Sequence, residues 1–113
     1  MSDRMRRVNE AVRQVLSEAL PELKDPRIGF VTVTGVETSP DLQHARVFVS
    51  VFGSAKKRQA TLDALAAAHG VLQARLGREL RMKRTPLVAF EYDRSVEEAV
   101  RMSKLIDELV RDE

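Results

Sequence analysis

Cysteine and long apolar runs are absent from this 113-residue sequence, and aromatic residues make up only 4% of it. Without cysteine, the chain can form neither disulfides nor Cys-ligated zinc sites. No run approaches the ~20 apolar residues of a membrane-spanning helix, and the N-terminus MSDRMRRVNE lacks the apolar segment of a signal peptide. We therefore expect a cytoplasmic protein whose core consists mainly of Val, Leu, Ile and Ala.

Signatures of catalysis are also missing. The sequence has no G-x-G-x-x-G motif, no P-loop and no G-x-S-x-G motif. Its two histidines, His44 and His69, are far apart, and neither has a carboxylate at the spacing of a metal site. Asp25, Asp41 and Asp93 lie beside turns, where aspartate has structural roles. These observations argue against an enzyme, a metal site and a cofactor.

Hydrophobic periodicity divides the chain into helices and strands in the order α-β-β-α-α-β-α. Apolar residues three and four positions apart predict amphipathic helices, and alternating β-branched residues predict strands. We expect one α+β domain over residues 1–113, with a three-stranded sheet and helices packed on one face. The predicted helices are Asp3–Leu20, Ala55–Ala68, Val71–Met82 and a last helix that a capping box begins at Ser95; the predicted strands are Phe30–Thr38, His44–Phe52 and Leu87–Tyr92.

Two of these elements have a clear apolar face. In the second strand the alternating positions of one face hold Ala45, Val47, Val49 and Val51. In the last helix, apolar side chains recur at helical spacing on one face, which is formed by Ala99, Met102, Ile106, Leu109 and Val110.

A helical pattern interrupted at Ala68-His69-Gly70 is the most informative local feature. A glycine inside a helix costs about 1 kcal/mol relative to alanine, so it indicates a kink or a close approach of another chain. In the helix that follows, Leu72, Leu76 and Leu80 form the predicted buried stripe, and the cations between them are predicted to face outward. The basic residues of this segment are Arg75, Arg78, Arg81, Lys83 and Arg84.

Cations also occupy the first turns of two helices, where they oppose the helix macrodipole. Lys56, Lys57 and Arg58 begin one helix, and Arg4, Arg6 and Arg7 begin the first. Binding of a polyanion, RNA or DNA, would compensate for these unfavourable positions. An exposed, salt-screened basic surface without a partner is the alternative. His69 is interpreted as a polar surface residue or an RNA contact.

Stacking platforms for bases are few in this sequence. The aromatic residues lie in strand patterns and are predicted to belong mostly to the core, so recognition would depend on phosphate, sugar and shape. These residues are Phe30, Phe48, Phe52, Phe90 and Tyr92.

Four segments resemble the bacterial ribosome-binding factor A family. They are RMRRVNEAVRQVLSEAL, KDPRIGFVTVTGVETSPDLQHARVFVSV, the Ala68-His69-Gly70 element and YDRSVEEAVRMSKLIDEL, which together cover nearly the whole chain. The resemblance implies a KH-like fold of type II order, in which an interhelical Ala-x-Gly kink stands where KH domains carry a GXXG loop. Longer family members have a C-terminal extension; this sequence ends at Glu113, so no role of that extension is carried over.

The resemblance also implies a function. Members of the family bind the free 30S subunit and its 16S rRNA and assist late maturation, including processing of the 5′ end, without catalytic activity of their own. Ribosomal proteins and other assembly factors are further partners to consider, and the chain is expected to be a monomer. Two alternatives stay open: a generic KH-like RNA-binding module outside the ribosome, and a protein-interaction adaptor.

Overall fold

A computed structural model of the chain describes residues 2–111 and confirms an α+β fold with one three-stranded sheet. Four helices accompany the sheet, and a short 3₁₀ turn, Leu20–Glu22, follows the first of them. The predicted elements are all present, with ends that differ by a few residues. In chain order they are α1 Asp3–Ala19, β1 Val31–Thr38, β2 His44–Val51, α2 Ala55–Ala67, α3 His69–Leu80, β3 Leu87–Tyr92 and α4 Arg94–Arg111.

Strand β2 is central in the sheet. It pairs antiparallel with β1 and parallel with β3. The parallel pair requires a long crossover, which α2 and α3 provide. The register of β1 and β2 shifts between Val33 and Gly35, so Thr34 is the extra residue of a β-bulge.

One face of the sheet carries the core. The predicted apolar face of β2 is confirmed, since its four residues are 0–7% exposed. Helices α1, α2 and α3 cover this face, as expected. The helical residues that contribute to the core are Val8, Val12, Leu16 and Ala19 from α1, Leu65 from α2, and Leu72 and Leu76 from α3.

Helix α4 does not follow the expectation that all helices pack on the sheet. Its large apolar residues from Val100 to Val110 are 48–69% exposed. Its start also differs from the predicted capping box at Ser95. The carboxylate of Asp93 precedes the helix, and its Oδ1 accepts hydrogen bonds from the Ser95 backbone N–H at 2.9 Å and from the Ser95 hydroxyl at 2.6 Å. Glu97 forms an ion pair with Arg58 at 3.4 Å.

Asp93 also connects α4 to the bulge in β1. Its Oδ2 accepts a hydrogen bond from the Thr34 hydroxyl at 2.6 Å. The hydrogen bonds from Ser95 and then Thr34 lower the pKa of Asp93 below its ordinary value. The carboxylate is thereby held in its charged form at the junction of β3 and α4.

The loop before β1 is fastened to α2 by one buried hydroxyl. Thr61 is fully buried, and its Oγ1 donates to the Arg27 carbonyl at 3.2 Å and accepts from the Gly29 N–H at 3.3 Å. Within the loop, the Asp25 carboxylate accepts from the Arg27 guanidinium at 2.7 Å. The D-P-R-I-G segment therefore connects the loop before β1 to helix α2.

No helix within residues 2–111 is both long and apolar enough to cross a membrane.

Replacing Thr61 by valine should destabilise the fold by about 1–3 kcal/mol, because two backbone groups lose their buried partner. Equilibrium denaturation in urea would measure the change. Thr32→Val is the matched control: Thr32 is an exposed strand residue, and its substitution should stay within about 0.5 kcal/mol. Equal effects of the two substitutions would contradict the structural role of Thr61.

Candidate nucleic-acid interface

A groove of about 840 Å³ collects four cations from two distant parts of the chain. Arg4 comes from the first turn of α1, and Arg81, Lys83 and Arg84 come from the segment that follows α3. The β1–β2 turn forms the opposite wall. Within residues 2–111, none of the four cations has a carboxylate within ion-pair distance, in contrast to most arginines elsewhere in the fold. Their charge is therefore available to a ligand.

Backbone conformation shapes this groove. Leu42 and Arg81, with φ of 59° and 51°, are the only non-glycine residues with positive φ in the described part of the chain, and both line the groove. Arg81 terminates α3 in the left-handed conformation, a position that glycine usually occupies. Leu42 closes the turn by donating its N–H to the Ser39 carbonyl at 2.8 Å. Such strained residues often occur at functional sites.

The groove contains one carboxylate, that of Asp41, and this group is already engaged. It accepts hydrogen bonds from the Ser39 hydroxyl at 2.6 Å and from the Gln43 N–H at 3.1 Å. The Ser39 bond is the main reason that the pKa of Asp41 lies below its ordinary value. Four cations thus outweigh one carboxylate whose role is to form the turn.

The cations of α3 do not all face outward as predicted. Arg75 has a side chain only 21% exposed, and its guanidinium contacts the carboxylates of Glu22 and Glu79. The hydrogen bonds that Arg75 donates to Glu79 and Glu22 raise the pKa of Arg75, so the group is a fixed structural cation. Arg78 is exposed in the last turn, where a cation is favourable to the helix dipole. Sequence periodicity could not show that Glu22 would reach Arg75.

The cations of α2 lie at the other end of the sheet. The groove borders the start of β2 and β3, whereas Arg58 stacks on Tyr92 at the end of β3, with 4.3 Å from its guanidinium carbon to the ring centroid. Five residue steps along the strands separate the two ends, or about 16 Å. Arg58 is held by an ion pair with Glu97, while Lys56 and Lys57 are exposed.

The other two predicted cations of α1 lie outside the groove. Arg6 pairs with Asp3 at 3.2 Å, and Arg7 is exposed.

The break between α2 and α3 falls at Ala68, the first residue of the predicted interruption. Ala68, with φ −87° and ψ 3°, breaks the helix, and Gly70 belongs to the first turn of α3. A methyl group at Gly70 would meet no atom within 4 Å, so packing inside the protein does not require glycine there. The surface over Gly70 is open.

His69 has a structural partner. Its Nε2 donates to the Val88 carbonyl at 2.8 Å, and the Val88 N–H donates to the Gln73 side chain at 3.1 Å. Because β3 is an edge strand, these two side chains occupy hydrogen-bonding groups that would otherwise face solvent. His69 thus has a role in covering the sheet edge, and the contact with RNA stays a prediction.

Two aromatic residues are exposed, contrary to the expectation that most belong to the core. Phe30 is 84% and Phe52 82% exposed, and both line an open cleft at the end of the sheet. Alternation along β2 already predicts that Phe52 points away from the face of Ala45, Val47, Val49 and Val51, and the structure places it there. Phe48, Phe90 and Tyr92 are half-buried.

No cluster of metal-ligating side chains occurs in the part of the chain that the structure describes.

Together, the fold and the groove define a small α+β protein with an unpaired basic groove suited to a polyanion. The family model for ribosome-binding factor A matches residues 4–106. The chain is 46% identical over 111 residues to ribosome-binding factor A of Azoarcus sp. (strain BH72), covering 97% of this chain and 88% of that protein. It is 41% identical over 111 residues to the same factor of Halothermothrix orenii, covering 97% and 91%. The chain belongs to the ribosome-binding factor A family.

Solved structures agree with this assignment. The crystal structure of ribosome-binding factor A from Thermus thermophilus matches with a TM-score of 0.73 at 31% identity, covering 80% of this chain and 97% of that one. A homology model of the Thermus thermophilus factor, fitted into the cryo-EM map of a 30S complex, matches with a TM-score of 0.63 at 33% identity, covering 74% and 89%.

Replacing Arg81 by glycine should keep or raise stability, by up to about 1 kcal/mol, because glycine adopts the left-handed conformation without steric cost. Arg81→Ala removes the same charge but retains the strain, so it serves as the matched control. Urea denaturation of both variants would measure the difference. An alanine variant as stable as the glycine variant would contradict the conformational argument.

Proposed function

We propose that this protein binds the free 30S ribosomal subunit through its 16S rRNA and assists late maturation of the subunit, including processing of the 5′ end. The observation that carries the proposal is the groove in which Arg4, Arg81, Lys83 and Arg84 converge without carboxylate partners. Membership in the family and the fitted 30S complex of the Thermus thermophilus relative support the same partner.

The groove fits phosphate better than it fits an apolar ligand. Arginine and lysine side chains neutralise phosphates and release condensed counterions, which supplies much of the affinity of RNA-binding proteins. Arg84 and Arg81 can each form two parallel hydrogen bonds to a phosphate, and Lys83 acts as a compact charge. Arg78, in the last turn of α3, extends the basic surface.

The kink offers a second contact. A KH-like arrangement would bring RNA to Ala68-His69-Gly70, the position of the GXXG loop in KH domains. The open surface over Gly70 supports a close approach of an RNA backbone there. Since His69 holds the edge of β3, its contribution is to fix the shape of this corner.

The remaining predicted cations have unequal roles in this proposal. Lys56, Lys57 and Arg7 are exposed and free to contact further phosphates. Arg6, Arg58 and Arg75 are engaged with carboxylates and would have to exchange partners, so they contribute less. We propose a monomeric, non-enzymatic assembly factor of the cytoplasm.

The double variant Lys83→Ala/Arg84→Ala should bind 30S subunits at least tenfold more weakly at moderate salt, and its slope of log affinity against log salt should be shallower by about 1 per cation removed. Co-sedimentation with purified 30S, 50S and 70S particles over a salt series would measure both. The matched control is Arg13→Ala/Lys24→Ala, which removes the same charge from exposed residues outside the groove.

Equal losses in the groove and control variants would contradict the assignment of the groove. The same experiment distinguishes the alternatives. A generic RNA-binding module would bind arbitrary structured RNAs as tightly as 30S subunits, and a protein adaptor would retain its binding at high salt.

Gly70→Ala should stabilise the protein by up to about 1 kcal/mol, because alanine favours the helix and its methyl group meets no neighbour. If RNA approaches the backbone here, the same substitution should weaken 30S binding severalfold. Thermal unfolding and co-sedimentation would separate the two effects. Ala74→Gly, on an exposed position of the same helix, should lower stability and leave binding unchanged. Undiminished 30S binding by Gly70→Ala would contradict a contact at the kink.

A further inference from the structure

The apolar stripe of α4, formed by Ala99, Met102, Ile106, Leu109 and Val110, has no partner in the described part of the chain. Met102 is 58%, Ile106 53%, Leu109 69% and Val110 64% exposed. Scattered exposed apolar residues are ordinary, but a contiguous stripe along one helix face indicates an interaction surface. The proposed groove does not use this stripe.

Polar contacts at the base of α4 determine which side of the helix faces the protein. Glu97 pairs with Arg58, and Val100 and Lys104 line the cleft beside Phe30 and Phe52. At about 100° per residue, the side formed by Glu97, Val100 and Lys104 lies opposite the stripe. With Asp93 bound to Thr34 at 2.6 Å, the helix is held with its apolar stripe directed away from the body.

Charge beside the stripe restricts its partner. On the helical wheel, the nearest charged residue on one side is Glu98 and on the other is Asp107. Two carboxylates repel an RNA backbone and attract a basic surface. A second copy of α4 is disfavoured, because either orientation of the pair would place acidic edge against acidic edge.

We propose that α4 docks its apolar stripe into an apolar groove on a basic protein of the small subunit, with Glu98 and Asp107 facing basic residues at the rim. Amphipathic helices bind such grooves through residues at spacings of three, four and seven, which Met102, Ile106 and Leu109 supply. This inference rests on the proposed function, since it places the partner on the 30S subunit. It assigns protein contact to α4 and RNA contact to the basic groove.

Site-specific photo-crosslinking tests the proposal. A photoreactive phenylalanine analogue at position 109, on the full chain bound to purified 30S subunits, should crosslink to one basic ribosomal protein. The same analogue at position 108, on the opposite side of α4, is the matched control and should give little product. Mass spectrometry after nuclease treatment identifies the crosslinked component.

Each outcome decides the proposal. Crosslinks from position 109 to RNA, to a second copy of this chain, or to nothing while the chain still co-sediments would overturn this inference alone. If the unmodified chain does not co-sediment with 30S subunits, the proposed function and this inference both fail.

Charge reversal provides an independent measurement. Glu98→Lys/Asp107→Lys should weaken 30S binding about tenfold if the partner is basic, and would strengthen it if the partner were RNA. Ile106→Asp should also weaken binding about tenfold or more, while its thermal unfolding should stay unchanged because the side chain is exposed. Binding that is unaffected by Ile106→Asp would contradict docking through the stripe.

Discussion

Burial of one face of strand β2 is the constraint on which the rest of the structure depends. Ala45, Val47, Val49 and Val51 belong to one core cluster with residues of α1, α2 and α3, and β2 is the strand that pairs with both of the others. The basic groove lies where β2 and β3 start, and the contact of Arg58 with Tyr92 lies where β3 ends. The length of the strands therefore separates the two sites.

Local pattern was sufficient to predict most of the fold. Alternation in β2 and the spacing of apolar residues in α1 depend on one element at a time, and each proved right. Periodicity could show that α4 is amphipathic, but not whether the fold would supply a surface to cover it. The start of α4 was misassigned for a related reason. The Asp93 carboxylate accepts a hydrogen bond from Thr34, which is 59 positions away in the sequence. The local capping pattern at Ser95 gives no sign of such a distant partner.

The sequence predicted which basic residues belong to the candidate site, but not how they are arranged in space. Cations at helix starts and after α3 were visible in the sequence. Which of them remain unpaired depends on carboxylates from distant segments, such as Glu22 beside Arg75 and Glu97 beside Arg58. The convergence of Arg4 with Arg81 required the packing of α1 against α3. The alternation of β2 indicated that Phe52 points away from the core, but the position of Phe30 and Phe52 in strand patterns favoured assigning both to the core.

The contacts of His69 and Gln73 with Val88 also bear on how the protein behaves among other chains. An open strand edge is a template on which another polypeptide can add a strand. By pairing with the backbone of Val88, His69 and Gln73 limit unintended β-pairing at this point of the edge. The same corner that brings the helices together thus protects a binding protein from becoming a nucleus of aggregation.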